Sequence, residues 1–148
     1  MNIHGIAIKT AKRAPLKEVG HAEITVGFGL EGDVRGAGGT SRQRQVTLLS
    51  LQQWKDACKA LDIELPWPMR RAGLCVAGIA FGPSDVGRKV RIGGNVELLI
   101  TGETEPCSRM DEIFPGLMAA LAIDWRGGVT TKVIKGGTVR INSPVVFL

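Results

Sequence analysis

The residues best suited to chemistry lie in one stretch, Gly102-Glu103-Thr104-Glu105-Pro106-Cys107-Ser108-Arg109-Met110-Asp111. An apolar run, Val96-Glu97-Leu98-Leu99-Ile100, leads into it and reads as a strand. A helical pattern begins near Met110. Pro106 suits the approach to a helix, and Ser108 followed three residues later by Asp111 is a weak capping pattern. Cys107 is therefore expected on a turn at or near a helix N-terminus, where partial positive charge favours thiolate over thiol. Arg109 adds a full charge. A thiolate in such a place is a soft ligand for a transition metal or the carrier of a persulfide. The same residue type also serves as a small buried hydrophobe, and the local sequence is equally compatible with that role.

The other cysteines read differently. Cys58 falls on the apolar stripe Leu51, Trp54, Ala57, Cys58, Leu61 of a helix, and Cys75 lies inside the apolar run Leu74-Cys75-Val76-Ala77-Gly78-Ile79. Both are expected in the core. Three cysteines, an odd number, and a start with no basic segment followed by a long apolar run point to a reduced, cytoplasmic setting. The spacing of Cys58, Cys75, Cys107, His4 and His21 gives no zinc pattern. No window reaches the roughly 20 apolar residues of a membrane span.

The chain of 148 residues is expected to form one domain over residues 1–148, long enough to bury a core without staples. Lys and Arg exceed Asp and Glu, giving a net charge of +5, which serves plain solubility or suits an anionic partner such as a phosphorylated cofactor or nucleic acid. A stacking nucleic-acid surface is not expected, because no basic run interleaves with aromatic residues. Arg70-Arg71 is a pair able to grip phosphate bidentately, or a solvated edge.

The elements that must position these residues are short. Ile3–Lys9, His21–Val26, Val46–Leu49, Leu74–Ile79 and Val145–Leu148 read as strands. Val90–Ile92 and Val96–Ile100 read as a hairpin around Gly93-Gly94-Asn95, and Val129–Ile134 with Thr138–Ile141 as a second around Gly136-Gly137. Ser50 opens a helix with a capping box to Gln53, which Pro66 and Pro68 end. A second helix from Met110 to Leu121 is split at Pro115-Gly116. Gly27 to Gly39 is expected to break regular structure, either as a loop that offers backbone N–H groups to an anion or equally as a plain flexible connection. His4 reads as structural. Strands dominate and no βαβ alternation occurs, so the expected fold is mainly β with a few helices, a closed or folded-over β-barrel.

Five stretches taken in order resemble the MOSC domain, named for the C-terminal domain of molybdenum cofactor sulfurase. They are Gly32-Asp33 with Arg44-Gln45-Val46-Thr47-Leu48-Leu49; Arg70-Arg71 with Leu74–Ile79; Gly87-Arg88-Lys89-Val90-Arg91-Ile92-Gly93; Thr101-Gly102-Glu103-Thr104-Glu105-Pro106-Cys107; and Gly127-Gly128-Val129 through Val139. The resemblance covers the chain from about Gly29 to its end. It implies a barrel of the pyruvate-kinase type and a molybdenum cofactor, molybdopterin, as ligand. Cys107 becomes the expected catalytic residue and metal ligand. Arg44, Arg70, Arg71, Thr101, Gly102, Arg109, Gly32 and Asp33 are the expected cofactor-binding residues. In molybdenum-containing relatives the loop cysteine ligates the metal and the protein reduces N-hydroxylated compounds; in the sulfurase context the domain handles sulfur. The implied partners are a cysteine desulfurase or separate electron-transfer proteins, since the sequence has no flavin, haem or iron–sulfur motif. Two departures stand out: Ala72-Gly73 where the family often has an asparagine, and Val34-Arg35 where a histidine often follows Gly-Asp. They suit an alternative, a non-catalytic interaction module that kept the barrel but lost the pocket.

Overall fold

The computed structural model describes residues 1–37 and 43–148. Among them the strands are β1 (Asn2–Ile8), β2 (Lys17–Val19), β3 (His21–Thr25), β4 (Gly29–Leu30), β5 (Val46–Ser50), β6 (Leu74–Ala77), β7 (Lys89–Ile92), β8 (Val96–Glu103), β9 (Val129–Lys135), β10 (Gly137–Arg140) and β11 (Val145–Phe147). The helices are α1 (Val34–Ala37), α2 (Leu51–Ala60), α3 (Arg109–Ile113) and α4 (Leu117–Ala122). No helix among the described residues is long and apolar enough to cross a membrane.

Eight strands form one mixed sheet in the order β11-β7-β8-β9-β5-β6-β1-β2, and β10-β3-β4 form a second. Described neighbours pair antiparallel except β5 with β6. The mainly β expectation holds. The strand ladders among the described residues do not close into a barrel, because β2 and β11 remain as edges. The large sheet does fold over on itself. The Val145 N–H donates to the Met1 carbonyl and the Ile3 N–H to the Ser143 carbonyl, tying the approach to β11 to the start of β1.

The strand side chains alternate between two cores. Leu48, Leu74, Val76, Ile3 and Ile6 face one, completed by Ala22, Ile24, Leu30 and Val139 from the small sheet. Leu49, Cys75 and Ala7 point the other way, against Trp54, Ala57 and Cys58 of α2 and Met110, Leu117 and Leu121 of α3 and α4. Burial on both faces explains why these strands read as near-continuous apolar runs.

Several expectations need correction. The run from Gly136 to Arg140 does not form a hairpin with β9: β9 pairs with β5 and β8, whereas β10 pairs with β3. Gly136 turns the corner between the sheets, where a Cβ would lie 2.5 Å from the Ile24 carbonyl oxygen. The Gly27–Gly39 stretch contains β4 and α1, and Gly38 and Gly39 lie outside the described residues. Helix α2 ends at Ala60; Pro66 and Pro68 instead frame a 3-10 turn over Trp67–Arg70. Ser50 does cap α2, accepting from the Gln53 N–H at 3.1 Å. The Gln53 amide does not reach back to complete the box. It donates to the Phe81 and Asp124 carbonyls and accepts from the Phe81 N–H, a long-range clamp stronger than a local cap. Nor does Ser108 cap α3. The Asp111 carboxylate accepts instead from the Met118 N–H at 2.9 Å, joining α3 to α4 across the Pro115-Gly116 break.

Candidate functional site

The cysteine loop is held from below. Strand β8 carries the chain to Glu103 against β9, with a register shift between Ile100 and Gly102. The Thr104 N–H then donates to the Gly128 carbonyl at 2.9 Å. Pro106 and Cys107 follow, and the Cys107 carbonyl accepts from the Met110 N–H at 3.0 Å, making the expected turn. Cys107 is exposed, whereas Cys58 and Cys75 are buried. Burial pushes the Cys58 thiol up. It pushes Cys75 up to about 12, aided by the Glu18 charge.

Helix α3 is only five residues long, too short for a strong macrodipole. The positive field at Cys107 comes instead from arginine side chains. Arg70 and Arg71 both lie close enough for a Cys107 negative charge to favour their protonated forms.

Arg70 is the loop's main brace. Its Nε donates to the Gly127 carbonyl at 3.0 Å and its Nη2 to the Thr104 carbonyl at 2.8 Å. Nη1 has only the Met110 thioether at 4.0 Å, a weak acceptor. The side chain is buried, with 6% exposure, and no described carboxylate forms an ion pair with it. Burial lowers its pKa, the Cys107 charge opposes that, and the Arg44 charge adds to it. The close approach depends on Gly127, where a Cβ would sit 2.6 Å from the Thr104 carbonyl oxygen and 3.1 Å from Arg70 Nη2.

Around this loop opens a cavity of about 630 Å³. Lys9, Arg35, Arg44, Arg70, Arg71 and Arg109 line it, against the carboxylates of Asp33 and Glu105, with Cys107, Thr104 and Met110 in the same wall. Six cations to two anions place four of the chain's five net positive charges here. The cations press on one another. Partial burial and the charges of Arg71, Arg109 and Arg35 lower the pKa of Lys9, while Asp33 opposes them. Arg71 is lowered by burial, then by Arg109 and Arg35. Its backbone is left-handed at φ 71°, which ends the 3-10 turn and starts the path to β6.

Of the residues expected from sequence, Cys107, Arg44, Arg70, Arg71, Arg109 and Asp33 meet at this cavity. Asp33 faces inward to Arg35. It accepts from Arg35 Nε at 2.9 and 3.1 Å, from the Arg35 N–H at 2.9 Å and from the Lys9 N–H at 3.3 Å, and also pairs with Arg35 Nη2. Burial pushes its carboxyl up, but the Arg35 bonds and charge outweigh this and hold it below the usual carboxylate range. Arg35 also donates through Nη1 to the Arg71 carbonyl. Asp33 thus positions one cation and, through it, the backbone of another.

Thr101, Gly102 and Gly32 do not line the cavity. Thr101 Oγ1 is bonded within the sheet, to the Gln43 and Thr130 carbonyls and Thr130 Oγ1. Gly102 is a strand residue against Thr130. Gly32 is a turn residue at φ +84°, over Ile8. These three stand near Cys107 or Asp33 in sequence, but β8 and the turn after β4 direct them elsewhere. Sequence reading missed Lys9, Arg35 and Thr104. The pattern held a clue for Lys9, the first residue past a strand end, and for Arg35, two residues after Asp33; Thr104 gave none.

The arrangement can bind a multiply anionic ligand and present one thiol to it. A soft sulfur donor with separate cations for phosphate fits a phosphorylated organic ligand that carries a metal. Among the described residues no group of three or more His, Cys, Asp or Glu side chains converges to hold a metal ion. Cys107 would therefore act as a single protein ligand, with the other donors coming from the ligand itself.

No family model matches the chain, and no curated protein matches it significantly. Solved structures do. The YuaD protein of Bacillus subtilis is 18% identical with a TM-score of 0.75, covering 97% of this chain and 93% of that one. YiiM of Geobacillus stearothermophilus is 14% identical with a TM-score of 0.74, over 99% of this chain and 74% of that one. YiiM of Escherichia coli is 16% identical with a TM-score of 0.69, over 100% and 70%. At these identities the likeness is one of fold: the scaffold that carries the Cys107 cavity is shared with YuaD and YiiM.

Proposed function

We propose that the protein binds a molybdopterin-type cofactor in the basic cavity and works through the Cys107 sulfur. The observation that carries this reading is the gathering of six cations, one of them the buried Arg70, around a single exposed thiol. Lys9, Arg35, Arg71 and Arg109 would hold the phosphate, with Asp33 fixing Arg35. Cys107 would be the protein's ligand to the metal. When bound, the group supplies molybdenum redox chemistry, such as reduction of N-hydroxylated compounds, with electrons from a separate protein. The chain's own contribution is to anchor the ligand, fix the thiolate's direction through Arg70, and keep positive charge beside the sulfur.

Exposure of Cys107 also favours a second reading, sulfur carriage. Here the Cys107 thiolate attacks the terminal sulfur of a cysteine desulfurase persulfide. A new S–S bond forms at Cys107, the donor's S–S bond breaks, and the donor thiolate leaves. No net oxidation occurs. The interaction-module alternative requires a lost pocket, and the cavity weighs against it. Ala72 and Gly73 are part of its wall, and Arg35 supplies a cation next to Val34.

The test is to purify the protein from cells that make the cofactor and measure molybdenum and pterin per chain. Ligation predicts stoichiometric metal in the wild type, and Cys107→Ser that keeps some pterin but loses reduction. Carriage predicts a gain of about 32 Da at Cys107 after incubation with a desulfurase and cysteine, reversed by dithiothreitol. A wild type with neither metal nor adduct overturns both readings.

A further inference from the structure

Thr104 presents an oddity beside Cys107. Among the described residues, its Oγ1 is the buried side-chain polar atom that has no hydrogen-bond partner. Thr104 is only 9% exposed, and it lines the cavity. Its main chain is fully used: the N–H donates to Gly128 and the carbonyl accepts from Arg70 Nη2. The hydroxyl alone is spare, and a buried hydroxyl without a partner costs about 1–3 kcal/mol.

The neighbouring Arg70 has the same unmet need. Two of its nitrogens are committed to carbonyls, but Nη1 has only a thioether at 4.0 Å. A guanidinium offers five N–H donors, and this one is nine-tenths buried with no direct ion pair among the described residues, the Glu103 charge acting on it only at longer range. One unpartnered hydroxyl and one weakly partnered guanidinium nitrogen therefore belong to one wall of the cavity, joined through the Thr104 carbonyl, which accepts from Arg70 Nη2. Gly127 leaves the space that their approach requires.

From this geometry we infer that Arg70 and Thr104 form a subsite for one anionic oxygen of the molecule that reacts at Cys107. The chemical class is a small oxyanion, a carboxylate, sulfonate or phosphate oxygen, accepting from Arg70 Nη1–H and from the Thr104 hydroxyl. The ordinary cations of the cavity attract any anion. This pair instead fixes one oxygen near the sulfur and so selects reactants with a negative group close to the atom under attack. The inference rests on the reading that an anionic ligand enters the cavity, and it adds which residues orient the reacting end.

Iodoacetate and iodoacetamide make the test, because they differ by carboxylate against neutral amide. In both, the Cys107 thiolate forms an S–C bond as the C–I bond breaks and iodide leaves. Rates at Cys107 are measured by peptide mass spectrometry on metal-free protein, at one pH, and expressed as the ratio of iodoacetate to iodoacetamide. The wild-type ratio should exceed that of glutathione. Raising the salt screens the cavity's general attraction and leaves the part due to direct hydrogen bonds. Thr104→Val should then lower the ratio about tenfold, the effect of one hydrogen bond to a charged group, with the iodoacetamide rate within about twofold of wild type. Thr104→Ser, which keeps the donor, should stay near the wild-type ratio. An unchanged ratio in Thr104→Val, or an equal fall of both rates in Val and Ser variants alike, overturns the subsite. Molybdenum retained while the ratio fails the test refutes the subsite alone; an intact ratio without molybdenum refutes the cofactor alone.

Discussion

Replacing Arg70 by Met should unfold the protein more readily than replacing any other cavity cation. Met keeps most of the length and apolar stem but removes the bonds to Gly127 and Thr104 at 3.0 and 2.8 Å. Each hydrogen bond to a charged group contributes about 1.5–3 kcal/mol, and each carbonyl left bare costs about 1–3 kcal/mol. Against this stands the desolvation of a buried guanidinium, which the substitution relieves. Burial is the leading cause of the lowered Arg70 pKa, so that relief is real. Water in the cavity can also reach part of the exposed carbonyl surface. The net expectation is a loss of about 2–4 kcal/mol, or a fall in Tm of about 5–15 °C for a chain of this size. Arg44 and Arg109 are exposed and hold no such bridge among the described residues, so Arg44→Ala and Arg109→Ala should stay within about 0.5 kcal/mol. Urea and thermal unfolding of the three variants decide the matter. If Arg70→Met is no less stable than Arg44→Ala, the bridge does not hold the loop and the account of how Cys107 is positioned fails.

Iodoacetamide on the native protein at neutral pH should mark Cys107 alone, with Cys58 and Cys75 labelled only after unfolding; early labelling of either would contradict their burial and, for Cys75, a thiol pushed up to about 12. Asp33→Asn should lower Tm at neutral pH. The Asp33 carboxyl is held below its ordinary value in the fold, so its stabilisation is full above the unfolded value of about 3.9 and is lost as pH falls through the folded value. The gap between wild type and variant should therefore shrink in acid, and a constant gap from pH 7 downward would refute the pairing. Gly127→Ala should cost about 2–4 kcal/mol and slow Cys107 alkylation by iodoacetate, because the added Cβ meets the Thr104 carbonyl at 2.6 Å; a stable, equally reactive variant would count against the close approach.

Where periodicity and turn chemistry act locally, the sequence was readable. The Ser50 cap, the Gly93–Asn95 hairpin, the helix break at Pro115-Gly116 and the core places of Cys58 and Cys75 all rest on contacts within a few residues or on an apolar stripe. What failed was partner choice across the chain. Two strands joined by Gly136-Gly137 look like a hairpin, yet the pairing of β10 with β3 is set by residues over a hundred positions away. The same holds for the site. Arg70 and Arg71 are neighbours that line the same cavity in different ways: Arg70, in the 3-10 turn, is buried and braces the loop, whereas Arg71, left-handed at the end of that turn, is only partly buried. Lys9 and Arg35 come from the far end of the chain and join the arginines only once β1 lies beside β6. Thr101 and Gly102 carried over from the family motif, but strand direction removes them from the cavity.

The distribution of charge connects stability to function. Outside the cavity the chain is nearly neutral, so its basic character belongs almost entirely to one concave surface. Folding must desolvate these cations and gather them against their repulsion, and the pKa values of Lys9 and Arg71 are depressed first by burial and then by the neighbouring arginines. Only Asp33 forms an ion pair with any of them among the described residues. A fold selected for stability alone would interleave carboxylates through such a cluster. This one sets only Asp33 and Glu105 against six cations, and leaves a buried arginine weakly partnered and a buried hydroxyl without a partner in the same wall. Strain of that kind at a concave site is what binding sites retain at the expense of stability. A ligand that brings several negative charges would relieve the repulsion, give the Thr104 hydroxyl a partner and give Arg70 Nη1 a stronger one than the Met110 thioether. The features that weaken the free protein are therefore the ones that make an anionic partner beside Cys107 the physical complement of this cavity.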